Sequence, residues 1–92
     1  MNTQAFEARL RAQAYPEVAT VIRDAIYALG EHSHPFDACA LITQGSIAIT
    51  VAGLTRHFGV GQVFELAANT LHSEAAGADG VTYLAGRRPA AP

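Results

Sequence analysis

At 92 residues and 9.7 kDa, with half of its residues hydrophobic and 15% charged, the chain has room for one core and is too apolar to stay disordered. Six Lys plus Arg against eight Asp plus Glu give a net charge of −2, and Arg87-Arg88 is the only adjacent basic pair, so no nucleic-acid partner is expected. The lone Cys39 excludes an internal disulfide, no apolar run approaches the roughly 20 residues of a membrane span, and the opening Met1–Glu7 lacks the basic and apolar regions of a signal peptide, so the expectation is a cytoplasmic protein without membrane contact.

The first segment, Thr3 to Ala14, sets Phe6, Leu10 and Ala14 on one face, with Glu7 and Arg11 at i, i+4 and Asn2 or Thr3 as N-cap, which predicts one short helix. Tyr15-Pro16 ends it, because the residue before a proline is pushed out of the α region. From Glu17 to Leu29 two readings compete. Val18, Val21, Ile22, Ala25, Ile26 and Leu29 fall at helical spacing ahead of Gly30, yet the crowding of Val, Thr and Ile, with Tyr27, suits a pleated surface.

Beyond Ala38 the reading is strand after strand: Ala38–Thr43, Ser46–Val51, Leu54–Phe58, Val63–Leu66, Leu71–Ala75 and Val81–Ala85. Turn material separates them at Gln44-Gly45, Ala52-Gly53, Gly59-Val60-Gly61, Ala68-Asn69 and Ala76–Gly80. No linker is long enough for a crossover helix, so an antiparallel sandwich or barrel is predicted. Ile42, Ile47, Ile49, Phe58 and Phe64 read as its packing.

Four histidines stand out in so small an acidic chain. His32 and His34 lie at i and i+2, which on an extended segment points both imidazoles to one side. His72 opens a strand able to pair beside them, and three imidazoles converging inside a barrel make a site for a borderline metal ion. His57, next to Phe58, reads as surface.

The spacing around these histidines resembles the cupin superfamily of small RmlC-like jelly-roll barrels. The first cupin motif is matched by His32-Ser33-His34 and Gly45, and the second by Gly61, Ala67-Ala68-Asn69 and His72, with fifteen residues between Gly45 and Gly61. The resemblance implies an all-β, double-stranded β-helix barrel over residues 17–86, preceded by the helix in 1–16 and followed by a flexible tail in 87–92. It also assigns Val18–Ile22 and Ala25–Glu31 to strands, making eight or so in all. Departures include Ile26 for a motif glycine, Ala67 for proline and Ala76 for a terminal asparagine. Asn69 stands where the family has glycine and still tolerates a left-handed turn. Above all, Ala38 occupies the position of the family's glutamate ligand.

The resemblance thus implies a divalent metal (Zn, Fe, Mn, Ni or Cu) on His32, His34 and His72, with water in the fourth position ahead of Asp37 or Glu74. Cys39 should alternate outward as a plain buried thiol, while Tyr27 and Tyr83 are barrel residues able to present hydroxyls to a pocket. A neutral three-histidine set is similar to that of cupin dioxygenases; the alternative is a non-catalytic small-molecule binding or sensor barrel. Edge strand Val18–Ile22 and the apolar helix face at Phe6 and Leu10 lead to an expected homodimer.

Overall fold

The computed structural model describes residues 1–90. Asn2 caps α1 (Thr3–Ala12), its side-chain oxygen accepting the Ala5 N–H at 2.8 Å and so satisfying one of the donors a helix leaves unpaired in its first turn. The helix stops at Ala12 instead of reaching Ala14, because Ala14 takes a φ of 60° and turns the chain into Tyr15-Pro16.

Six strands follow: β1 (Glu17–Arg23), β2 (Ala28–His32), β3 (Phe36–Val51), β4 (Leu54–Gly59), β5 (Val63–Leu66) and β6 (His72–Pro89). All pairings are antiparallel, in the order β1-β6-β3-β4, with β2 also on β6 and β5 also on β3. The long strand β6 gives its N-terminal part to β2 and its C-terminal part to β1 while following β3 along its length. This change of partner folds the sheet over itself into a jelly-roll barrel.

Glu17–Leu29 is extended, as the cupin resemblance requires, but β2 begins at Ala28, not Ala25. Asp24 starts a turn there, accepting the Ile26 N–H on its side chain and the Tyr27 N–H on its carbonyl, each at 3.1 Å. The eight expected strands become six because Ala38–Thr43 and Ser46–Val51 fuse into β3, and Leu71–Ala75 and Val81–Ala85 into β6. Gly45 and Gly80 bend these strands without breaking them, at φ of 69° and 77°. The two strands are paired here, Gly45 opposite Val81, and approach so closely that a Cβ on Gly45 would lie 2.0 Å from the Gly80 carbonyl oxygen, a space no side chain can share.

Ala40 and Ile42 of β3 face the barrel interior with Ile47, Ile49, Phe58 and Phe64, and the alternate residues Cys39 and Leu41 face α1. Both sides of this strand are therefore dry. Burial pushes the Cys39 thiol up to about 11, as expected of a packing thiol.

Phe6 and Leu10 are buried against Tyr15, Cys39 and Leu41. The helix face is thus covered by its own chain, which corrects the expectation that it awaits a partner. The tail needs a similar correction, since β6 runs to Pro89: Arg87 is in register with Glu17 and Ala38, and Arg88 pairs with Asp37 at 2.9 Å. Residues 91–92 lie outside the described residues. Among the described residues no helix is long and apolar enough to cross a membrane.

Candidate metal centre

His32 ends β2 directly opposite His72, the first residue of β6. His34 lies just beyond β2, where the chain has left the sheet, and its carbonyl accepts the Asn69 N–H at 2.7 Å. Asn69 takes a φ of 65°, so the turn expected of the second motif is present without its glycine, and it fixes the backbone of His34. The three rings close on one another, with centroids 4.2 Å apart for His32 and His72 and 5.0 Å for His34 to either. One donor nitrogen from each lies within 4.8 Å of the other two.

The hydrogen bonds of two rings decide which nitrogen is free. Nδ1 of His32 meets the Gly30 carbonyl at 2.7 Å, and Nδ1 of His72 meets the Thr70 carbonyl at 2.9 Å. A carbonyl oxygen only accepts, so each Nδ1 carries a proton, and Nε2 is the nitrogen left to offer a lone pair to an ion. Both Nε2 atoms are buried with no hydrogen-bond partner, a condition costing about 1–3 kcal/mol apiece unless something binds them. His34 stacks on Phe36, 4.8 Å between centroids at 10°. Burial, then the neighbouring His72 and His32, hold its pKa below the ordinary 6.5, which favours its neutral form. The imidazoles of His32 and His72, with buried Nε2 atoms and oriented by backbone carbonyls, are the kind of ligands a borderline divalent ion takes.

No protein-family model and no curated protein matches the chain, but solved structures do. An RmlC-like cupin from Shewanella frigidimarina is 16% identical, with a TM-score of 0.68 over 79% of this chain and 65% of that one. The chain has the fold of a small RmlC-like cupin. KdgF from a Halomonas species is 20% identical, with a TM-score of 0.67 over 83% of this chain and 72% of that one. A conserved Streptococcus pyogenes protein of unknown function is 27% identical, with a TM-score of 0.67 over 80% and 65%.

The remaining candidate residues surround the cluster without joining it. Asp37 is engaged elsewhere: one oxygen accepts the Ala68 N–H at 2.8 Å and the other takes the Arg88 guanidinium. These bonds hold its pKa below the usual value. Glu74 is nearer, with one oxygen 3.9 Å from His72 Nε2 and the other accepting the Tyr27 hydroxyl at 2.5 Å. Burial first, and that hydrogen bond second, push the Tyr27 pKa up to about 12. Tyr83 is a core residue, and His57 is exposed on β4, both as expected.

A cavity of about 140 Å³ opens beside His34, with Tyr27, Glu74 and Tyr83 on one side and Ala38, Phe64 and Leu66 on another. Ala38, at the missing glutamate's position, therefore faces the cavity. Arg23 and Arg87 also line it, and sequence reading passed over both. For Arg87 a signal existed in strand parity, since it follows Tyr83 and Ala85 on the same face of β6. For Arg23 it lay in the fold of β1 over the barrel, which local pattern does not encode.

Proposed function

We propose that this cupin holds one divalent ion on His32, His34 and His72 and receives a small-molecule ligand in the adjoining cavity. The observation that carries the reading is the pair of buried, partnerless Nε2 atoms on His32 and His72, because an ion satisfies both at once where water would need room and further partners. Zn, Fe, Mn, Ni and Cu all accept imidazole, and a neutral ligand set leaves the ion's charge undiminished for a bound oxygen atom.

When bound, the ion supplies Lewis acidity to a ligand oxygen. The chain's own groups divide the other tasks. Glu74 accepts a hydrogen bond from the Tyr27 hydroxyl, which keeps both groups turned toward the cavity. Phe36, Phe64 and Leu66 wall the cavity with apolar surface and limit water. The neutral histidine set supports a dioxygenase-like activity; ligand binding without turnover is the alternative, and incubation with Fe(II), O₂ and thiol or diketone substrates separates them. The exposed Val18 and Ile22 on edge strand β1 support a homodimer joined along that edge.

Equilibrium dialysis against each of the five metals, with melting temperature in parallel, tests the metal site. One ion per chain and a raised melting point are expected, lost in His72→Ala and in the more exposed His34→Gln and retained in His57→Ala. No uptake of any of the five metals overturns the reading.

A further inference from the structure

The cavity has an uneven charge inventory. All six basic residues of the chain are arginines, and two of them, Arg9 and Arg88, are neutralised by Glu65 and Asp37. Arg23 and Arg87 line the cavity, and among the described residues neither stands within ion-pairing distance of a carboxylate. The one carboxylate in the cavity wall, Glu74, is taken by the Tyr27 hydroxyl.

Aromatic faces aim both cations. The Arg23 guanidinium lies 5.2 Å from the Tyr27 ring centroid, and its Nη1 donates to the Ile22 carbonyl at 3.1 Å. Arg87 lies 5.2 Å from the Phe36 centroid, and Phe36 stacks in turn on His34, so a single ring separates this guanidinium from the histidine cluster. Both arginines also act on the Tyr83 hydroxyl, opposing the rise in its pKa that burial imposes. Two cations from opposite ends of the β1–β6 pair therefore bear on one interior.

We propose that the ligand of this cavity is a small organic carboxylate, its apolar body against Phe64 and Leu66 and its negative charge favoured by both cavity arginines, Arg87 at the end beside His34 and Arg23 at the end beside Tyr27. The inference rests on the cavity being the ligand site proposed above. Guanidinium presents a planar fork of N–H donors that matches a carboxylate, and the apolar wall favours an organic body over a bare inorganic anion. Size sets the scale, because a cavity of about 150 Å³ accommodates a benzene ring, close to the 140 Å³ here.

Benzoate and benzamide share that shape and differ in charge, which makes them the probes. Calorimetric titration of each into metal-free and Zn-loaded protein, with inorganic phosphate as a third ligand, reads the preference directly. Benzoate is expected to bind at least about tenfold more tightly than benzamide, and Arg87→Gln and Arg23→Gln should each remove about tenfold. Arg56→Gln, on a guanidinium over Phe58 outside this cavity, should remove nothing.

Equal binding of the two probes, no binding of either, benzoate affinity insensitive to both cavity arginines, or phosphate binding as tightly as benzoate overturns the proposal. Zn retention in the same preparations keeps the two readings apart. A chain that holds no metal yet prefers benzoate loses its metal site and keeps its carboxylate site; a chain that holds metal without discriminating loses the carboxylate alone.

Discussion

Replacing Gly45 by alanine puts a methyl group against the backbone of β6, where Gly45 pairs with Val81. The new Cβ would stand 2.0 Å from the Gly80 carbonyl oxygen and 2.9 Å from its carbon. Both are backbone atoms, so no side-chain rotation relieves the contact and the strands must part. Overpacking of this kind costs about 1–3 kcal/mol, and holding alanine near the native φ of 69° adds about 1–2 kcal/mol. Together they remove about 2–5 kcal/mol from a domain whose whole stability is about 5–15 kcal/mol. At about 4–8 °C per kcal/mol for a domain this small, the melting temperature should fall by roughly 8–40 °C. Gly53→Ala is the control, because Gly53 also has positive φ, 79°, but nothing within 4 Å of an added Cβ; it should lose only the conformational part. Urea unfolding followed by circular dichroism measures the difference. Equal losses in the two variants would refute the close approach of β6 as the reason for glycine at position 45.

Ala38→Glu restores a carboxylate facing the cavity, so it should lower the melting temperature of metal-free protein and enlarge the increment produced by Zn or Mn; an increment no larger than the parent's counts against convergence on one ion. The Ala68 N–H and Arg88 hold the Asp37 carboxyl below its ordinary 3.8, so its stabilisation is complete above that value and lost as pH falls below it through the lowered folded pKa. Asp37→Asn should therefore be less stable than the parent at neutral pH, with the gap closing in acid; a gap independent of pH contradicts this. The pKa values of Tyr15, Tyr27 and Tyr83, all three tyrosines of the chain, lie above the ordinary 10.0 mainly through burial. Ultraviolet titration should show no phenol ionising at 10 and, in Tyr27→Phe, loss of the component near 12.

The strands from Ala38 onward were legible because period-two alternation and turn residues both depend on local chain geometry. Glu17–Leu29 was ambiguous for a physical reason: Val18, Ile22, Ile26 and Leu29 are exposed and only Val21 is buried, so their helical spacing marks no core face. Gly45 and Gly80 read as turns since glycine signals unusual φ, while the close strand approach that requires it arises only once distant segments meet. At the site, His32, His34 and His72 followed from motif spacing. The Tyr27–Glu74 bond follows from the β2–β6 register, which sets Ala28 against Ala75 and Leu29 against Glu74. Likewise Phe6 and Leu10 were recognisable as an apolar face, but alternation alone does not say that Cys39 and Leu41 would cover it.

The shared use of β6 has a consequence for biosynthesis. This strand is the ladder partner of both β1 and β2, yet it comes after every other element of the described chain. A nascent chain can pair β3 with β4 and β5 as they emerge, whereas β1 and β2 stay without their ladder partner until β6 has been made. Such long-range closure is slow and leaves strand edges open to wrong partners. His32 and His34 are made before His72 and meet it only when β6 docks, so the proposed metal triad is assembled in one of the closing events of barrel folding, and ion uptake during synthesis would report that the barrel has shut.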